Sequence, residues 1–395
     1  MWLQAEGFMD KVEKWWHNYT IRGSPDFILT QKLKKLKKDI TDWNKATFGQ
    51  LETRKSQILE DLTLLETIAE SRLMSQAEKE KLVTLKHELQ KLAIAEEVSW
   101  RQKSRCLWLK EGDKNTKFFH TIANSNRRNN CIDKLLIDGE ISEESEEIKT
   151  EILSFYQDMY TENENWRPRV SFDGLASISL IEKAWLERPF EEEEVRAALM
   201  SCAPDKSPGP DGFTMAFYQK AWDIIKHDLM GAISHFHQQC HMVKSCNASF
   251  IALVPKKKGA IELKDFRPIS LIGSVYKIIA KVLAERLKTV MGKLVSGEQN
   301  AFLKNRQITD AALVANELLD GRLKSGVPGI LCKLDVEKAF DKLNWSYLLS
   351  MLRSMGFGER WIKWIKFSIT TVKYSILVNR SPVGFFSPQK GIRQG

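Results

Sequence analysis

Residues 329–345 read Gly-Ile-Leu-Cys-Lys-Leu-Asp-Val-Glu-Lys-Ala-Phe-Asp-Lys-Leu-Asn-Trp. Ile330, Leu331 and Leu334 predict a short apolar strand that delivers one carboxylate, Asp335, before the chain turns into a helix. An acid at the end of a buried strand suits hard-cation binding, because the strand fixes it while the turn leaves it open to solvent. Chemistry that moves phosphoryl groups with two metal ions places acids in this way. Phe340 and Asp341 follow in the turn, and Asp341 reads as helix-start structure. No two aspartates are adjacent anywhere in the chain.

The 395 residues allow two or three domains, each with its own core. A composition of 43% hydrophobic and 28% charged residues is globular, neither disordered nor fibrous. The net charge of +9 favours a polyanionic partner without requiring one. No apolar run reaches the roughly 20 residues needed to cross a bilayer, and the first residues lack the basic start and apolar core of a secretory signal. Six cysteines in no paired framework point to a reducing compartment. His235, His237, Cys240, His241 and Cys246 lie close together, but a structural zinc site needs two separated ligand pairs, so they read as ordinary helix residues.

Residues 1–30 hold aromatic residues without a clear period and read as the end of something larger. From 31 to 110 the spacing is helical: Leu33, Leu36, Ile40 and Trp43, then Ile58, Leu62 and Leu65, then Leu82, Leu85, Leu89 and Leu92. The run breaks at 71–76, where Ser75 and Glu78 form a capping box that starts a fresh helix. An antiparallel hairpin buries both stripes, and a parallel dimer is the alternative. Residues 111–200 form a helical, basic and aromatic region. In the stretch from 101 to 130, Arg101, Arg105, Lys110, Lys114, Lys117, Arg127 and Arg128 interleave with Trp108, Phe118, Phe119 and His120. That mixture can hold a nucleic-acid backbone by charge and stack bases on rings, or equally pack its rings inward behind a solvated basic face.

After residue 200 the pattern changes to short strands and helices. Lys206–Gly212 is a turn-rich loop, and Phe250–Pro255 and Asp265–Leu271 are strands joined by a tip at Lys256–Gly259. Helices follow near 274–291, 309–324, 345–355 and 358–369, and then a hairpin from Tyr374 to Phe386 around Asn379-Arg380.

Seven segments in this order resemble the reverse transcriptases of non-LTR (LINE-type) retrotransposons, in particular the plant elements: Trp108–His120, Lys206–Phe213, Leu253–Lys256, Asp265–Leu271, Gln299–Phe302 with Arg306 and Asp310, Leu334–Asp341, and Gly391–Gly395. The resemblance implies an α+β fold, with a long N-terminal helical hairpin (31–110) followed by fingers and an incomplete palm of a right-hand polymerase (201–395). Residues 1–30 would then be a remnant of an endonuclease C-terminus, its last strand and tail. The roles it implies are specific. Asp335 is the catalytic, metal-binding carboxylate, with the Val336 carbonyl as a second ligand for Mg2+. Lys256 and Arg267 hold the nucleotide triphosphate, Phe340 lies against its sugar and excludes a 2′-hydroxyl, and Gln394 sits beside nucleotide and template. Template RNA, DNA primer and dNTP are the implied partners, with no membrane, and self-association through the helices is admitted. The family implies a nuclear or cytoplasmic location.

The family's pattern continues beyond the seventh segment with two adjacent aspartates that complete the metal site, so the chain is expected to be a fragment truncated before them. One carboxylate cannot hold two divalent ions, and the expectation is a protein without polymerase activity of its own. Two readings compete with it: a non-catalytic nucleic-acid-binding remnant, and a helical interaction scaffold.

Overall fold

The structure is a computed structural model that describes every residue except 1, 6, 49–50, 105–120, 122–123, 126–127, 165, 169, 302, 304 and 395. The chain divides into two compact units, Met1–Arg22 with Gln31–Cys131, and Gly23–Thr30 with Ile132–Gly395.

In the first unit, Phe8, Val12 and Trp16 recur every four residues and are all buried on one face of helix α1 (Phe8–Asn18). That stripe makes the segment helical, where the resemblance implied the last strand and tail of an endonuclease. Helix α2 (Pro25–Phe48) buries Leu33, Leu36 and Ile40, and its Trp43 ring lies 4.9 Å from Phe8. Helices α3 (Leu51–Ser71) and α4 (Gln76–Ser104) close a separate seam of Ile58, Leu62, Leu65 and Leu85, flanked by Leu82, Leu89 and Leu92. At their junction the Ser75 amide donates to Glu78 Oε2 at 2.8 Å, and the Glu78 amide donates to Ser75 Oγ at 3.3 Å. Arg72 grips the same carboxylate through two nitrogens, at 2.6 and 3.0 Å, and with the Ser75 bonds holds its pKa down at about 2.

The second unit opens on a short hairpin, β1 (Leu135–Ile137) and β2 (Glu140–Ser142), whose turn places Asp138 and Gly139 at positive φ. Helix α5 (Ser145–Tyr160) then buries Ile148, Ile152, Tyr156 and Tyr160, four residues apart. Helices α6 (Leu180–Leu186), α7 (Glu192–Met200), α8 (Met215–Lys220) and α9 (Trp222–Gln239) lead to strands β3 (Ala248–Pro255) and β4 (Phe266–Ile272). Helices α10 (Ser274–Leu294), α11 (Ile308–Ser325), α12 (Trp345–Ser354) and α13 (Glu359–Thr370) follow, and a second hairpin, β5 (Lys373–Val378) and β6 (Ser381–Phe386), completes one sheet of order β4-β3-β5-β6. Strand β3 is antiparallel to β4 and parallel to β5, so its backbone is bonded on both edges. The α5 stripe packs against Ile251, Leu253, Phe266, Tyr374, Ile376, Val378 and Phe386.

Arg286 of α10 is fully buried, and all five of its N–H groups are used. Nε and Nη2 donate to the two oxygens of Glu194, at 2.8 and 2.7 Å. Nη1 donates to the carbonyls of Leu186 and Arg188, and Nη2 to that of Pro189, while the guanidinium lies 4.4 Å from the Phe190 ring. One side chain thereby closes the α6–α7 connection onto α10.

Two expectations change. The strand at 330–334 does not form: 327–336 has no regular structure, and Ile330 is 99% and Leu334 86% exposed. Helix α11 likewise exposes Leu313, Val314, Leu318 and Leu323. A strand holds only when its N–H and C=O groups meet a neighbour, and none of the described strands lies beside this one. Asp341 is not at a helix start. Helix α12 begins at Trp345, capped by the Asn344 side chain accepting from the Tyr347 amide at 2.9 Å, and Asp341 is buried before it.

Arg286→Ala strips three carbonyls of their donor and leaves Glu194 to Arg188, 3.4 Å away, and is expected to cost about 3 kcal/mol in urea unfolding. Residues 200–395 produced alone would lack α5 and expose the apolar face of the sheet. A soluble fraction near zero is expected, and a sharp cooperative melt would contradict it.

Candidate nucleotide site where residues 340–345 meet 391–394

The β3–β4 hairpin sets the first wall. Val254 pairs with Arg267, and the Lys256 amide donates to the Asp265 carbonyl at 2.8 Å, so alternation puts Lys256, Val254 and Arg267 on one face of the sheet. Arg267 and Lys256 are exposed there. The Lys256 ammonium reaches the Lys264 carbonyl at 2.5 Å, and Lys257 pairs with Asp265 at 2.8 Å. The start of α10, just beyond β4, is fixed by the 206–212 loop: Asp211 Oδ2 accepts from the Ser274 amide at 2.7 Å. Gly209 lies so close to the Ile272–Gly273 backbone that no Cβ fits.

The second wall is the segment 391–394. Its Gly391 and Ile392 amides donate to the carbonyls of Leu343 and Phe340, at 2.7 and 2.8 Å, and the Trp345 indole returns a bond to the Gly391 carbonyl at 2.7 Å. One step on, the Ser270 amide of β4 donates to the Gln394 carbonyl at 2.7 Å. Gly391 holds φ +81°, and a Cβ there would overlap the Asp341 backbone. Arg393 faces inward, bonded to Ser249 Oγ (3.2 Å) and the Ser368 carbonyl (2.8 Å) and stacked 3.9 Å from the Tyr276 ring.

Asp341 lies under this crossing, 3% exposed. Tyr160 OH donates to its Oδ1 and Gln394 Nε2 to its Oδ2, each at 2.9 Å. Burial raises its pKa above the usual carboxylate value, opposed by the Tyr160 and Gln394 bonds and by the Lys338 charge. Burial and the neighbouring Asp341 charge push the Tyr160 hydroxyl up, so it stays protonated and donates.

The structure therefore brings Phe340, 48% exposed, and Gln394 together at the edge of β4, while the register puts the Arg267 side chain on the sheet face opposite the one α5 covers. Asp335 and Val336 are not part of that cluster; both are exposed on the irregular 327–336 segment. Among the described residues no group of three or more His, Cys, Asp or Glu side chains is placed to hold a metal ion. Arg105, Lys110, Lys114, Lys117 and Arg127 lie outside the described residues. Arg101 lies in α4 with its side chain outside them, and Arg128 is exposed. His237 donates to or accepts from neighbours of a packed core, with Nε2 2.9 Å from the Glu187 carbonyl and its ring 5.4 Å from Trp364, while Cys246 contacts Thr30 Oγ1 at 3.3 Å.

Sequence reasoning missed Tyr160 and misplaced Asp341. A faint signal existed for the tyrosine: it ends the buried i, i+4 stripe of α5, and a buried hydroxyl needs a partner. Nothing in the spacing names that partner, which is 181 residues away.

Residues 254–395 match the family described as reverse transcriptase (RNA-dependent DNA polymerase). A protein of Xenopus laevis transposon TX1, described as an uncharacterized 149 kDa protein, is 29% identical over 302 residues, which is 74% of this chain and 23% of its own length. The retrovirus-related Pol polyprotein of the type-2 retrotransposable element R2DM from Drosophila melanogaster is 26% identical over 215 residues, covering 54% of this chain and 20% of its own. That of the type-1 element R2 from Nasonia vitripennis is 25% identical over 217 residues, with the same shares. The chain thus spans about a quarter or less of the length of these relatives.

Gly391→Ala tests the crossing. Gly259 also has positive φ (+69°) but open space around it, so Gly259→Ala is expected to cost only the backbone strain, about 1–2 kcal/mol. Gly391→Ala adds a backbone overlap and should cost clearly more in the same urea titration; equal losses would mean that the crossing is loose.

Proposed function

We propose that this chain, which belongs with the LINE-type, non-LTR reverse transcriptases, forms the nucleotide- and template-facing wall of an RNA-directed DNA polymerase and incorporates no nucleotide by itself. The observation that carries the reading is the crossing at Asp341, which gathers Phe340, Gln394 and the Arg267 strand although they are far apart in sequence.

On this reading Arg267 offers a bidentate fork and Lys256 a point charge to the triphosphate of a dNTP. The half-exposed Phe340 ring stands beside the sugar, where its bulk opposes a 2′-hydroxyl. Gln394, fixed through its backbone and its amide, lies beside the nucleotide and template. The basic stretch 101–130 grips RNA template and DNA primer through phosphates. Leu59, Leu64 and Val83 stay exposed on the α3–α4 pair, and self-association through the helices would be built there.

Reverse transcriptases generally use divalent metal ions, which supply charge for in-line phosphoryl transfer. Asp335, with the Val336 carbonyl, is the proposed ligand pair for Mg2+ in this chain. The residues described do not assemble such a centre: Asp335 stands on an exposed, irregular segment with no further carboxylate grouped around it.

The test has two arms. Gel shifts of the full chain with a short single-stranded RNA should weaken steeply with salt. Release of counterions from about four phosphates predicts roughly a fiftyfold loss between 50 and 200 mM. Primer extension with Mg2+ and dNTPs should give no product. Salt-independent or absent binding would favour a scaffold, and extension abolished by Asp335→Ala would overturn the catalytic half of the proposal.

A further inference from the structure

Resting on the nucleotide-site reading above, we infer that Asp341 is a positioning residue that sets which end of the Gln394 amide faces the nucleotide. A primary amide can present either a carbonyl oxygen or an NH2 group outward, and sterics distinguish the two poorly. Asp341 removes the ambiguity. Its ionised carboxylate only accepts hydrogen bonds, so the amide must turn Nε2 inward to meet Oδ2, at 2.9 Å. The other oxygen is occupied by Tyr160 OH, which donates to it at 2.9 Å. The Gln394 backbone is held by the Ser270 amide, so the side chain cannot escape by a shift of the main chain. Oε1 is then the atom left for the ligand: an acceptor that selects for a hydroxyl or N–H donor on a bound nucleotide. The titratable and charged groups around Asp341 are Tyr156, Tyr160, Tyr374 and Lys338, and the bond that Gln394 Nε2 makes is to Asp341.

This makes a substitution pattern that a merely structural aspartate would not produce. In Asp341→Asn, with Tyr160 OH still donating, Oδ1 serves Tyr160 and the new NH2 faces Gln394. The Gln394 amide must turn over, offering its oxygen inward and its NH2 outward. The count of buried hydrogen bonds is conserved, but the presented atom changes from acceptor to donor. Gln394→Glu alone sets two carboxylates against each other. In the double variant Asp341→Asn/Gln394→Glu, the asparagine NH2 donates to one glutamate oxygen and the other oxygen faces outward, an acceptor again.

The experiment measures, for the full chain and these three variants, the thermal midpoint and the affinity for a fluorescent dNTP in the presence of a short RNA–DNA primer–template. Asp341→Asn is expected to melt with the wild type yet bind the dNTP about tenfold more weakly, the scale of one hydrogen bond. Gln394→Glu should melt about 5 °C lower, as one buried repulsive contact implies. The double variant should regain both the midpoint and the affinity. A double variant that melts no better than Gln394→Glu, or an Asp341→Asn protein that binds dNTP as tightly as the wild type, would overturn the inference. If the wild type binds no dNTP, the nucleotide reading of the site fails, and the lock is then judged on the midpoints alone: recovery in the double variant sustains it, and no recovery overturns it.

Discussion

A carboxylate taken out of water must be met by donors, and the one at Asp341 is met by residues 181 positions before it and 53 after it. That requirement ties the end of helix α5, the turn at 340–343 and the segment 391–394 into one body. The sheet depends on the same tie, since α5 covers its apolar face and Gln394 reaches the outer edge of β4. Polar groups held in this way cost little once satisfied and much when half satisfied, so the junction behaves as a single cooperative contact.

The rest of the second unit uses the same device at other joints. Arg286 saturates its five donors on Glu194 and three carbonyls, which fixes α6 and α7 to α10. Asp211 caps the first turn of α10, and the tight approach of Gly209 places the 206–212 loop against the end of β4. These contacts make the face carrying Arg267 and Lys256 a firm platform. The contrast is with 308–336, where an apolar helix stripe and an apolar run meet no partner among the described residues. Asp335 inherits its exposure from that segment.

Much of the element order was legible in the chain. The strands at 250–255 and 265–271, the helices near 274–291, 309–324, 345–355 and 358–369, and the hairpin around Asn379-Arg380 all occur within a few residues of where periodicity and turn residues put them. The Ser75–Glu78 box is present for the local reason the sequence gives. Three readings went astray because they needed long-range information. Apolar character alone predicted a strand at 330–334, but a strand is a pairing. Residues 8–18 looked aperiodic among the aromatics until Val12 was counted with Phe8 and Trp16. Asp341 looked like a helix-start acid, because a sequence shows what precedes and follows a residue and not what lies above it.

Local pattern and residue chemistry thus settled which stretches are helix or strand, where the chain turns, and which residue types could face a nucleotide. Those follow from side-chain periodicity and backbone preference over a few residues. Long-range packing is what made Asp341 an interior residue and set it to hold Gln394 at the edge of the strand that carries Arg267. Such facts depend on where buried polar groups find partners, and with partners 181 and 53 residues distant no local rule contains the answer.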